Sequence, residues 1–111
     1  MNKFTVTGRF AKDHDLKYSQ AGKAILNNSI AVQDGYGDKK QTYYFNIVVW
    51  DKLAENLAQF TAKGSKVLLA GKITQRNYEN KEGNKVNVID LVVQEFELLD
   101  SKKQDDNDLP F

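Results

Sequence analysis

Apolar positions alternate at the start of the chain: Phe4, Val6 and Phe10 share one parity across Lys3–Phe10, as a half-buried strand requires, with Gly8 placed for a bend or bulge. Residues 23–33 form a second β-leaning run through Ile25, Ile30 and Val32; it follows the turn signal Ala21-Gly22 and ends at the loop Asp34-Gly35-Tyr36-Gly37-Asp38. Gln41–Trp50 is a third strand, dense in β-branched and aromatic residues. The period then changes. Leu53, Leu57 and Phe60 recur at helical spacing, Ala54, Ala58 and Ala62 let a helix lie close, Asp51 offers an N-cap, and Gly64 falls just past the end. Lys66–Tyr78 and Lys85–Leu99 are two further strands flanking Asn80-Lys81-Glu82-Gly83-Asn84, whose Gly and Asn residues suit the positive φ of a hairpin turn.

The pattern predicts an all-β chain of three strands, one helix and two strands. That order suits a five-stranded, partly open oligonucleotide-binding (OB) barrel with its helix between strands three and four. With 111 residues the chain has room for one domain. It is expected to cover residues 1–100, followed by a short linker at 101–104 and an acidic tip at 105–111. Asp100–Asp108 is polar without apolar periodicity and is expected to be disordered when free, because it buries too little to offset its ordering entropy.

Composition narrows the chemistry. The absence of cysteine excludes disulfides, thiolate metal sites and cysteine nucleophiles, and a lone His14 leaves a zinc site or a serine triad short of partners. No apolar run approaches membrane-spanning length, and the first residues lack a signal-peptide pattern, so a cytoplasmic protein without cofactor or metal is expected. The net charge of +1 conceals an asymmetry: three of the fifteen acids lie in the last seven residues, and residues 1–104 carry 16 bases against 12 acids. A mildly basic body with an acidic end points to a polyanionic partner.

The third strand separates two faces. Tyr43, Phe45, Ile47 and Val49 make the better core, which leaves Tyr44, Asn46, Val48 and Trp50 for a partner. Tyr36, in a glycine-flanked loop, and Tyr78, at the base of a polar hairpin, extend the aromatic set. Cations interleave with these rings: Lys39 and Lys40 after Tyr36, Lys52 after Trp50, Lys72 and Arg76 before Tyr78. Flat π-faces beside cations are what sequence-neutral binding of unpaired nucleic acid needs, each stacked base contributing about 1–3 kcal/mol. Phe4, Phe10, Phe45, Phe60 and Phe96 are expected to pack in the interior, and His14, within Lys12-Asp13-His14-Asp15, to be an exposed loop residue.

Four stretches together resemble the bacterial and phage single-stranded DNA-binding proteins. They are Val6-Thr7-Gly8-Arg9-Phe10 with Asp13 and Leu16-Lys17-Tyr18; Ile30-Ala31-Val32; Phe45 through Glu55; and Gly71 through Asn80. The last, continuing to Val86, is most similar to the Gram-positive branch. The resemblance implies an OB-fold homotetramer that wraps single strands without catalysis or cofactor. It carries base stacking to Tyr36, Tyr44, Trp50 and Tyr78, and backbone contacts to Lys52, Lys63 and Arg76, while Asn46 and Asn77 stand where some relatives have a basic residue. The segment Asp105-Asp106-Asn107-Asp108-Leu109-Pro110-Phe111 resembles the family's acidic tip: Leu109, Pro110 and Phe111 would enter an apolar pocket of a replication or repair protein, with Asp105, Asp106 and Asp108 steering the approach. The expected function is therefore a single-stranded DNA coat that recruits partners. The alternative is a replication-restart type of adaptor that binds DNA weakly. An enzyme ranks third, because the scattered carboxylates show no metal-site spacing.

Overall fold

The strands follow from the alternation, and the chain closes them into a ring. A computed structural model describes residues 1–100, so the expected linker and tip lie outside the described residues. The elements are β1 (Phe4–Phe10), β2 (Asp15–Tyr18), β3 (Ala24–Asp34), β4 (Gln41–Trp50), α1 (Asp51–Phe60), β5 (Lys66–Glu79) and β6 (Lys85–Leu98), with a single 3-10 turn at Gly37–Lys39. Sheet order is β1-β5-β6-β4-β3-β2, and an additional β1–β3 pairing through Arg9↔Ala31 and Phe10↔Ile30 joins the two sides. Five strands thus close an OB barrel, with α1 between β4 and β5. The sixth, β2, pairs with β3 and no other strand; only Leu16 of its four residues packs on the core, so it lacks the alternation that would reveal a strand.

Closure depends on two glycines. β1 stays paired with β5 through Arg9 and meets β3 from Arg9 onward; at Gly8, just before this junction, a Cβ would lie 2.3 Å from the Ala31 carbonyl oxygen. The long β5–β6 hairpin shifts register between Ala70 and Gly71, and a Cβ on Gly71 would lie 1.9 Å from the Val92 carbonyl oxygen. At the hairpin tip, Gly83 alone has positive φ, at 84°; Asn80 contributes through its side-chain oxygen, which accepts the Glu82 and Asn84 backbone N–H groups. Inside the ring, Phe10, Leu26, Ile30, Ile47, Val49, Val67 and Leu69 pack with Leu57 from α1, all fully or almost fully buried. Each such side chain stabilises the fold by about 1.5–3 kcal/mol.

Expectations about packing and capping need correction at several residues. Ile47 and Val49 are buried, but Tyr43 and Phe45 of the same parity are 43 % and 37 % exposed, because the first half of β4 runs beyond the ring that covers the second half. Phe60 is 48 % exposed: the stripe of α1 that meets the barrel runs through Ala54, Leu57 and the following Thr61, and Phe60 falls on its margin. Asp51 is not a cap. The extended residue before the helix is Trp50, without a side-chain capping bond, while Asp51 takes φ 61°, the left-handed region that Asp tolerates better than most residues.

His14 is half-buried rather than exposed, its ring edge-on to Phe10 at 4.7 Å. The Thr61 hydroxyl donates to the Leu57 carbonyl, so its oxygen accepts from His14 Nε2–H at 2.8 Å. Asn28 accepts the Ser29 N–H through Oδ1 and donates from Nδ2 to the Lys12 carbonyl and, at 2.9 Å, to His14 Nδ1. This network admits one neutral tautomer, and protonating Nδ1 would set two donors face to face. Burial lowers the His14 pKa below its ordinary value, opposed by the Thr61 hydrogen bond and the Asp13 charge. Both states are neutral at high pH, and on acidification the unfolded chain takes the proton first. Stability is therefore full above the unfolded pKa of about 6.5 and falls as pH drops through it toward the lower folded value. Urea midpoints are expected to decrease from about pH 7.5 to about pH 5.5, and His14→Gln should remove most of that slope; an equal slope in the variant would exclude His14 as its source.

Candidate nucleic-acid interface

Strand register decides which rings and cations share a face. Across β4, β6 and β5 the partners are Asn46↔Asp90↔Thr74 and Val48↔Val92↔Lys72, and Val88 and Val86 pair with Arg76 and Tyr78. Tyr44, Asn46 and Trp50 therefore lie on the same side of the sheet as Lys72, Arg76 and Tyr78. All three rings are substantially exposed: Tyr44 65 %, Trp50 46 % and Tyr78 50 %. Tyr36 stands at 91 % in the β3–β4 loop, between Gly35 and Gly37, both at positive φ.

A groove of about 750 Å³ gathers part of this set. Its walls include Tyr36, Tyr44 and Lys40 together with Arg9 and Lys66. The cross-strand row Lys66↔Arg9↔Ala31↔Tyr44 explains its form, since the small Ala31 side chain leaves a trough between a guanidinium and a phenol ring. Trp50, Tyr78, Lys39, Lys52, Lys63 and Lys72 are not among the residues that line it. Lys39, Lys52, Lys63 and Lys72 are exposed, Lys52 two residues after Trp50 in the first turn of α1 and Lys63 in the turn between α1 and β5. Arg9 and Lys66 carry no role on the sequence alone. The available signal was parity: Arg9 has the outward phase of β1, opposite to Phe4, Val6 and Phe10.

Arg76 is already engaged. Its Nε donates to Asp90 Oδ2 at 2.6 Å, and this bond, with the carboxylate charge, raises the arginine pKa further. Asp90 is buried in a polar cavity of about 210 Å³ that Lys12, Asn27 and Asn46 also line, while the Arg76 side chain stays 59 % exposed. The pair points the guanidinium outward and subtracts from the charge it offers to a phosphate. Tyr18, exposed on β2, donates to Glu55 of α1 at 3.0 Å, and this bond raises its pKa.

Together, closed OB barrel and exposed ring-and-cation face define a small OB-fold protein with aromatic rings and cations gathered on one side of its sheet. Residues 1–99 match the model of the single-strand binding protein family. The chain belongs to that family. It is 37 % identical over 107 residues to a single-stranded DNA-binding protein of Lactiplantibacillus plantarum, covering 94 % of this chain and 54 % of the relative. It is 34 % identical over 105 residues to single-stranded DNA-binding protein 3 of Streptococcus agalactiae, 92 % of this chain and 76 % of that one. Single-stranded DNA-binding protein 2 of Listeria monocytogenes is 36 % identical over 105 residues, 92 % and 66 % of the two chains. The chain thus spans about half the length of the Lactiplantibacillus relative, at 54 %. These relatives bear out the resemblance to the Gram-positive branch of the family. No described helix is long and apolar enough to cross a membrane.

Proposed function

We propose that this chain binds single-stranded DNA without sequence preference, coating and protecting it during replication, recombination and repair. One observation carries the reading: four exposed rings, Tyr36, Tyr44, Trp50 and Tyr78, are distributed over the groove and one sheet face among Lys40, Lys72, Arg76 and Arg9. Rings take unstacked bases whatever their identity, and cations take phosphates. The names of the relatives support it. Titration with poly(dT) is expected to quench the fluorescence of Trp50, the single tryptophan, with affinity falling as salt rises because bound counterions are released. Absence of both quenching and a shift of a labelled oligonucleotide would sink the proposal.

Two extensions belong to the same reading. Tyr43, Phe45, Ile73 and Ile89 lie on the core side of the sheet but beyond the ring, 37–57 % exposed, and form an apolar surface suited to self-association as a homotetramer. Light scattering with and without oligo(dT) measures it, and a monomer in both conditions would exclude it. The tip residues Asp105, Asp106, Asp108, Leu109, Pro110 and Phe111 act as a recruiting motif for replication and repair proteins, on sequence grounds alone. The adaptor reading keeps one point in its favour, the ion pairing of Arg76 with Asp90, which weakens a phosphate contact.

A further inference from the structure

We propose that Arg9 and Lys66 form a phosphodiester-binding site on the rim of the groove, and that Asp100 occupies this site when nucleic acid is absent; the inference rests on the single-strand reading above. Arg9 NH1 donates to the Gly64 carbonyl at 2.8 Å and to Asp100 Oδ2 at 3.1 Å. The same Oδ2 accepts the backbone N–H of Lys66 at 2.8 Å. One anionic oxygen thus sits between a guanidinium and a main-chain amide, the donor set that proteins use for the phosphate oxygens of nucleic acids. The Gly64 bond holds the guanidinium in place, so a site remains when the carboxylate leaves.

Position connects this site to the rings. Arg9 is two strands from Tyr44 in the row Arg9↔Ala31↔Tyr44, and both residues line the groove. A strand whose phosphate rests on Arg9 therefore runs with its bases toward Tyr44 and Tyr36. Lys66, beside Arg9 in register and also in the lining, adds a second cation there.

The occupant is weakly held. The side chains of Arg9 and Asp100 are 57 % and 36 % exposed, so solvent screens the pair, and exposed pairs of this kind change an equilibrium by about fivefold or less. A phosphodiester brings charge of the same sign, and neighbouring Lys40 and Lys66 favour it further. Displacing Asp100 is thus a modest tax on binding, greatest where salt is low.

The test uses the full chain and fluorescence anisotropy of a labelled oligo(dT). Asp100→Asn keeps an amide oxygen for the Lys66 N–H but removes the charge, and Asp100→Ser serves as a second neutral variant. Both are expected to bind about two- to fivefold more tightly than the parent at low ionic strength and to converge with it at high salt. Arg9→Ala should bind more weakly than the parent, and Arg9→Ala/Asp100→Asn no more tightly than Arg9→Ala. Parent-like affinity in both neutral variants overturns the inference, as does a gain that persists fully in the Arg9→Ala background, which would reflect net charge alone. Failure of the parent chain to bind oligo(dT) would instead remove the single-strand reading itself.

Discussion

Replacing Tyr36, Tyr44 and Tyr78 together by alanine is expected to weaken oligo(dT) binding by a hundredfold or more, with little change in melting temperature. The rings are 91 %, 65 % and 50 % exposed, so their loss opens no cavity in the core. Stacking contributes about 1–3 kcal/mol per base, so three rings at the lower limit give about 3 kcal/mol, or roughly a hundredfold in affinity. Equilibrium titration at one fixed salt concentration measures the loss, and a thermal melt confirms the fold. A folded triple variant with parent-like affinity would transfer the balance to the adaptor reading, in which the sheet face serves another purpose.

Gly71→Ala is expected to lower the melting temperature by about 10 °C or more, since its Cβ makes the tightest approach of any added at the glycines of the described residues. The new Cβ would lie 1.9 Å from the Val92 carbonyl oxygen and 2.9 Å from the Gln94 nitrogen. Both are main-chain atoms of β6, so neither can swing aside as a flexible side chain would. Relief requires β5 and β6 to part at the register shift that bends the hairpin onto the barrel. Gly22→Ala is the control, since it also adds a methyl group but meets nothing within 4 Å; its cost comes only from φ 84° and is expected to be about 1 kcal/mol. Equal melting temperatures for the two variants would mean that the bulge at Gly71 does not govern closure.

Much of the barrel was legible because its signals are local. Phe4, Val6 and Phe10 are partly or fully buried in one parity of β1, Ile47 and Val49 in one parity of β4, and the change of period after Trp50 marked α1 between the correct strands. Alternation and helical spacing are properties of neighbours in the chain, so the order of residues is enough to reveal them. The exposure of Tyr36, Tyr44, Trp50 and Tyr78 followed from the same logic of parity and loop placement. The acidic tip also belongs to the sequence, since it lies outside the described residues.

Tertiary structure decided what depends on residues far apart. Parity put Tyr43 and Phe45 with Ile47 and Val49, but where the ring of strands stops covering β4 is set by β6, whose pairing with β4 is confined to Asn46, Ile47 and Val48. His14 left the solvent because α1 and β3 bring Thr61 and Asn28 to its two ring nitrogens, a contact between three separate parts of the chain. Arg9 met Lys66, Ala31 and Tyr44 through cross-strand register, which no run of residues encodes. Local sequence determined which side chains face outward; closure of the barrel, a matter of long-range pairing, determined which of them meet, and so built the groove.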